Sequence, residues 1–419
     1  MISFQRTIRT SPAVWFAIPI WVLAGWYVTL LSAPAGYGVA ATGAATSTLP
    51  FIGAFVGGSA AWEGSRLRRG AIWGGPWPRH LVQIALGATA PAIVAGWMAF
   101  AVAVTVALTT TNSFPPNMAM VGVVAVDVVA YAAVGFAIGC LAPPALAIPV
   151  AALLPLLWLA FTPAMHPVWL RHLTGMYRDC CLVSEALAPR AVLASIAVDL
   201  GFIVSAAVAC LVTLTPRRRA LTVVTVLGAA VVFGVGAVGG MTYAPVVARD
   251  PAALQCKTDS GTSICLWPEH ASAGPQLLEL TAEVRAAWSA AGVKAPALFT
   301  EALGPHGPNV ASVVLPDPIT RDRTILALSD ALIPPTVECP IISAEGIAGL
   351  YLEGWIAAAG GLSHESLAQI DLPADGTNKS LVDTVRDLRA ATPAARAKWT
   401  EAAMAATQVC TDTAPDLRV

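Results

Sequence analysis

Residues 62–80 read WEGSRLRRGAIWGGPWPRH. Glu63, Arg66, Arg68, Arg69 and Arg79 fall in this run, with Trp62, Trp73 and Trp77 set among them and nearly uncharged stretches on either side. Arginine held back at the cytoplasmic surface and indole rings at the headgroup level are the marks of a loop joining two membrane helices. That reading makes the flanking apolar runs spans and the chain a polytopic membrane protein.

Working outward, a hydrocarbon core of roughly 30 Å requires about 20 apolar residues per helix. Seven segments qualify: 13–32, 40–61, 82–108, 117–141, 145–164, 191–214 and 221–243. The second is rich in Gly, Ala, Ser and Thr and contains Pro50. Small residues let backbones approach closely, which suits a span packed inside a bundle. Pro149 and Pro155 predict a kink in the fifth. With the N-terminus inside, cytoplasmic segments carry Arg6, Arg9, Arg66, Arg68, Arg69, Arg79, Arg217, Arg218 and Arg219, against Arg171, Arg178 and Arg190 in the opposite loops. Positive charge gathers on the cytoplasmic side, so the seven spans place residues 245–419 outside the cell.

Composition divides at the same place. Residues 1–249 hold five acidic and thirteen basic residues, net +8, whereas residues 250–419 hold twenty acidic and eleven basic, net −9. Twenty arginines against four lysines suit a GC-rich bacterial genome and a plasma-membrane location. The basic clusters flank apolar spans and the acidic half has no basic face, so nucleic acid is not an expected partner; the lipid bilayer is.

Four of the eight cysteines, Cys256, Cys265, Cys339 and Cys410, fall in the outer half, where an oxidising compartment favours disulfides. Cys256 and Cys265 are close enough to staple a small loop, and Cys339 with Cys410 is the natural remaining pair, although four cysteines allow three connectivities. Cys180 and Cys181 lie in an outer loop and either pair elsewhere or stay reduced.

The layout of residues 1–214, with the short start MISFQRTIRTSP, the segment AAWEGSRLRRG after the second span and the long loop MHPVWLRHLTGMYRDCCLVSEALAPR between the fifth and sixth, resembles an ABC-2-type exporter permease. The resemblance implies a six-span core, probed by a separate P-loop ATPase at a coupling segment that corresponds here to Glu63, Arg66, Arg68 and Arg69. It also implies a homo- or heterodimer, since one core makes half a pathway, and it places ATP and Mg on the partner subunit with no cofactor in this chain. The competing reading of the arginines is a plain topology signal. Residues 215–244 add an arginine cluster and a seventh helix, and SGTSICLWPEH is similar to a Cys-x-x-Pro pattern in outer domains of some high-GC bacterial permeases.

Chemistry-bearing motifs are scarce. ADGTNKS departs from a phosphate-binding loop because Asn378 stands where glycine must precede the lysine. Ala344-Glu345-Gly346-Ile347-Ala348 keeps the glutamate of a zinc-peptidase helix but has alanine at both ligand positions. His270, His306 and His364 are too scattered for a metal site, and no G-x-S-x-G elbow occurs. No enzymatic activity and no metal are expected. Asp127 and Asp199 stand inside spans with no lysine or arginine within any span to pair with them. An ionisable group at that depth must face the bundle, water or a partner, as a site on a transport path, a proton relay, or a structural link between helices. They carry the alternative readings of a proton-coupled carrier or a membrane-anchored receptor or scaffold.

Residues 245–419 read as a soluble α+β domain. PQLLELTAEVRAAWSAAG (275–292) has helical spacing, with Leu277, Leu280 and Val284 on one face. NVASVVLPDP and RTILALSDALI read as strands, and helices are expected over 343–361, 378–391 and 393–409, the last opened by Thr392 and Pro393.

Overall fold

The computed structural model describes residues 11–31, 33–70, 81–178, 180–211, 215–304, 309–333, 344–370 and 380–407. The chain divides into two compact units, Met1–Val247 and Ala248–Val419.

The first unit is a helical bundle of α1 (Pro12–Trp15), α2 (Ala17–Val28), α3 (Gly38–Thr46), α4 (Leu49–Arg69), α5 (Leu81–Thr110), α6 (Met118–Leu141), α7 (Pro144–Phe161), α8 (Pro189–Leu211) and α9 (Pro216–Val238). Five of these, α5 to α9, are long and apolar enough to cross a membrane; α3 and α4 make a sixth if their pair, bent by 46°, is counted as one span. This is a multi-pass membrane protein. The expected first span is shorter than its apolar run, because the chain breaks at Phe16 and α2 has 12 residues, about 18 Å of helix. The expected seventh span begins earlier than its hydropathy suggested. Pro216 opens α9 at its first position and draws Arg217, Arg218 and Arg219 into the first helical turn.

Burial separates the helices sharply. Fourteen of the 21 residues of α4 are buried, whereas α9 buries only Gly234 and Val238. Small residues account for the first case. A Cβ on Gly135 of α6 would overlap the backbone of Gly57 on α4, and one on Gly139 would overlap that of Ala61. Glycines four apart let the two helix backbones touch, and the packing of α4 against α6 rests on that contact.

The chain between α7 and α8 folds back into the bundle. It makes two 3-10 turns, Thr162–Ala164 and Val168–Leu173, and continues through the buried Leu173, Thr174 and Tyr177. The Tyr177 N–H donates to Thr46 Oγ1 at 2.8 Å, at the break between α3 and α4. A Cβ on Gly43 would stand 2.6 Å from the carbonyl oxygen of Cys180 and 2.8 Å from that of Tyr177. Non-helical backbone at membrane depth is tolerated where protein surrounds it and satisfies its polar groups; the break at Thr46 and the returning segment satisfy each other. Cys180 and Cys181 are bonded to one another in this segment, which corrects the expectation that they pair elsewhere or stay reduced.

In the second unit a four-stranded sheet runs in the order β1 (Gln255–Asp259), β2 (Thr262–Leu266), β3 (Leu298–Thr300), β4 (Val310–Ser312). The first pair is an antiparallel hairpin and the others are parallel. Ser260 and Gly261 close the hairpin with φ of 46° and 80°, the two positive values a type I′ turn requires. Helices α10 (Gly274–Ala291), α11 (Arg321–Asp330), α12 (Ala344–Ala359), α13 (His364–Ala368), α14 (Leu381–Ala390) and α15 (Pro393–Ala406) complete the unit. Its core is dominated by Trp267, Trp288, Trp355 and Phe299, and Trp288 Nε1 donates to the Ile356 carbonyl at 2.7 Å.

One sequence expectation is corrected here. RTILALSDALI forms α11, not a strand: Thr324, Ile325, Leu328 and Ser329 are its buried residues, a spacing of three and four that only a helix brings to one face. Leu277, Leu280 and Val284 do share the inner face of α10, with Leu280 half-buried against the core and Thr281 and Trp288 fully buried beside them. Thr392 does cap α15, accepting from the Ala395 N–H at 3.3 Å with Pro393 at the first position.

Candidate functional site

The arginine-bearing stretch is not a separate helix lying on the membrane surface. With Pro50 confined to its first turn and no later proline, α4 runs on until Gly70 caps it, and Glu63, Arg66, Arg68 and Arg69 occupy its last two turns. Cationic side chains there complement the negative end of the helix dipole. The four residues then part company. Glu63 is 1% exposed and forms an ion pair with Arg66, Nη2 to Oε2 2.8 Å. Arg68 and Arg69 are exposed beside the exposed Trp62. Arg79, Trp73 and Trp77, and also Arg6 and Arg9, lie outside the described residues.

Asp127 and Asp199 are brought together. Asp127 lies nine residues into α6 and Asp199 ten residues into α8, about 14 and 15 Å along their helices. Both are buried, and their carboxyl groups reach hydrogen-bonding range of each other. One turn along each helix a hydroxyl joins them: Tyr131 follows Asp127 by four and Ser195 precedes Asp199 by four. Residues four apart share a helix face. Tyr131 shares the Asp127 face of α6 and lies within electrostatic reach of both carboxyls, and Ser195 Oγ lies 2.6 Å from the hydroxyl of Tyr177 on the returning segment. Gly175, at φ +70°, closes the arrangement, since a Cβ there would overlap the Asp127 carboxyl. The left-handed backbone and the missing side chain are both needed at this point.

The basic residues nearest in the returning segment are engaged elsewhere. Arg171 donates to the Pro163 carbonyl and stacks 3.4 Å over the Tyr243 ring, and His172 Nε2 lies 2.9 Å from the Thr242 carbonyl oxygen. Outside the pair itself, both oxygens of Asp127, Oδ2 of Asp199 and the Tyr131 hydroxyl have no hydrogen-bond partner among the described residues. Buried polar groups are normally satisfied; both oxygens of Glu63 also lack a hydrogen bond but have the Arg66 charge at 2.8 Å, so the aspartate cluster is the candidate site.

Tyr131 also belongs to the wall of an apolar cleft of about 530 Å³ between α6, α7 and α8, lined with Leu154, Trp158, Phe161, Met165 and Phe202 among others. Tyr131, Tyr177, Ser195 and Gly175 went unremarked in the sequence reading. The four-residue spacings Asp127–Tyr131 and Ser195–Asp199 carried a signal for two of them; nothing local pointed to Gly175 or Tyr177.

In the second unit Cys256 and Cys265 face each other across the hairpin, Cα to Cα 4.0 Å, and are disulfide-bonded. Cys339, Cys410 and His306 lie outside the described residues. His270 is not an isolated surface histidine: its Nδ1 is 2.6 Å from Glu301 Oε1, while Glu301 Oε2 accepts the Trp267 N–H at 2.8 Å. Burial of the ring works against its charge, but the bond to Glu301 and the charges of Glu301, Glu269 and Asp317 outweigh it and hold the pKa above the usual histidine value. Arg249, paired with Glu269 through two 3.0 Å bonds, stacks 4.5 Å over Trp267. This polar knot fixes the SICLWPEH segment against β3. No group of three or more metal-ligating side chains occurs among the described residues.

No curated protein and no solved structure matches the chain. A family described as a domain of unknown function, DUF7224, matches residues 264–410, beginning within the SICLWPEH segment and covering most of the second unit.

Proposed function

We propose that residues 1–247 are the membrane-spanning permease subunit of an ATP-driven exporter, assembled as a homo- or heterodimer around a translocation path. A separate P-loop ATPase holding ATP and Mg docks at the cytoplasmic end of α4. The N-terminus lies inside, α2 and α9 complete a seven-span topology, and the second unit stands outside the cell, where it handles substrate, gates the exit or directs assembly. The observation that supports the docking is the end of α4: a long helix buried along most of its length presents the exposed Arg68 and Arg69 at its tip. A rigid rod with one end in the bundle and a basic tip outside is suited to pass motion from a partner to the span. Glu63, buried and paired with Arg66 on the same helix, lies behind that tip.

Affinity purification of the full-length chain from native membranes, with identification of co-purifying proteins, tests this reading. A stoichiometric P-loop ATPase is expected, and Arg68→Ala with Arg69→Ala should reduce its recovery at least about tenfold, the scale of losing two interfacial cationic contacts. Undiminished recovery from the double variant, or no ATPase under conditions that preserve oligomers, overturns it.

A further inference from the structure

The end of α4 leaves the acidic pair unexplained. Two carboxyls sit side by side at mid-depth in the bundle, on facing helices, in a segment where an unpaired ion costs several kcal/mol. A base would be the usual remedy, yet the described side chains hydrogen-bonding to them include none: both oxygens of Asp127 and one of Asp199 are orphaned. A second, independent sign is Tyr131. It is 3% exposed, its hydroxyl has no partner among the described residues, and it stands one turn from Asp127 on the same helix face, within electrostatic reach of both carboxyls. A tyrosine that merely filled space would turn its hydroxyl to one of the many backbone carbonyls around it. Among the described residues, the titratable groups that the pair's charges reach are Tyr131 on α6 and Tyr177 on the returning segment, neither of them cationic.

We propose that Asp127 and Asp199, with the Tyr131 hydroxyl beside them, form an exchangeable proton-binding site in the middle of the membrane domain, closed on one side by the returning segment at Gly175. A proton shared between the carboxyls converts their contact into a hydrogen bond and removes the like-charge conflict. Tyr131 is the route of communication, since the same side chain walls the apolar cleft: a ligand that displaces the ring changes the surroundings of the pair. The site holds its proton while the Gly175 segment and the Tyr131 ring stay in place, and exchanges it with water when either moves. It is independent of ATPase docking and stands or falls separately from it.

The test is modification by dicyclohexylcarbodiimide of the full-length protein in native membranes. The reagent adds a protonated carboxyl across a C=N bond: the carboxyl oxygen bonds to the central carbon and its proton passes to nitrogen. Peptide mass spectrometry should place the adduct on Asp127 or Asp199, with yield falling at least about tenfold from mildly acidic to alkaline pH, as proton occupancy of the pair declines. Asp199→Asn should shift the pH midpoint for modification of Asp127, because the neighbouring charge is gone, and Tyr131→Phe should change the yield at fixed pH. No adduct on either residue, or a yield independent of pH, overturns the proposal and leaves a sealed structural pair. Protection by sodium or potassium at constant pH also overturns it, in favour of an alkali-cation site.

Discussion

Among its described residues the membrane unit has two buried acidic sites, and they are handled in opposite ways. Glu63 is closed off with Arg66 at 2.8 Å, three residues along the same helix. Asp127 and Asp199 come from different helices and face each other with no base hydrogen-bonded to them. The first arrangement is local and needs only α4 to be helical. The second exists because α6, α8 and the returning segment converge. A charge matched within one helix holds that helix in place; a charge left unmatched between helices remains available to bind something. The difference suggests which site is structural and which is functional.

The contrast predicts a ranking of substitutions. The largest effect is expected where the unmatched pair is sealed. Gly175→Ala places a side chain in left-handed backbone, a cost of about 1–2 kcal/mol, and adds about 1–3 kcal/mol of overlap with Asp127. Gly240→Ala, at φ +79° with nothing within 4 Å of the new Cβ, carries the backbone cost alone. The temperature at which each variant leaves its monodisperse peak in detergent should fall further for Gly175→Ala. Equal losses would mean that contact with Asp127 does not matter.

Next comes the matched site. Arg66→Gln strands a buried carboxylate and should cost about 1–3 kcal/mol, moderated because the arginine itself is partly exposed. Glu63→Gln in the same chain should recover most of the loss. Asp127→Asn removes one of two like charges and supplies an amide donor, so it should be neutral or stabilising by about 0.5–1 kcal/mol. The same melting measurement reads all three. If Asp127→Asn destabilises as much as Arg66→Gln, the two sites are not different in kind.

The smallest effect belongs to a third buried acidic site, Glu301, matched not by arginine but by His270. Because the folded pKa of His270 is raised, the protonated pair contributes stability fully below the unfolded histidine value of about 6.5, and that contribution is lost as pH rises through the folded pKa. Urea unfolding of the full chain, followed by tryptophan fluorescence near Trp267, should weaken by about 1 kcal/mol or less across that window. His270→Gln should flatten the dependence, and an unchanged slope in that variant would assign it to other groups.

Much of this was legible before any coordinates. Apolar runs interrupted by arginine and tryptophan predicted a polytopic domain because hydropathy over about 20 residues is a local property. Asp127 and Asp199 were conspicuous for the same reason, as lone acids in apolar surroundings. Boundaries were less legible: Pro216 as a helix start pulled three arginines into α9, and α4 ran through its arginines until Gly70. RTILALSDALI was misread because a short apolar run of mixed propensity fits either period, and only packing against the domain core chose the helix.

Sequence by itself determined the membrane character, the division into a basic apolar part and an acidic mixed part, and the presence of two unmatched intramembrane acids. Those features depend on composition and on residues within a few turns of one another. Tertiary structure alone decided that the two aspartates are partners, that Gly175 is their lid, that Tyr131 joins them to an apolar cleft, and that His270 answers Glu301. Each of these contacts links residues from about 30 to 70 positions apart or from separate elements, and no local pattern records which distant neighbour a folded chain will bring to a buried charge.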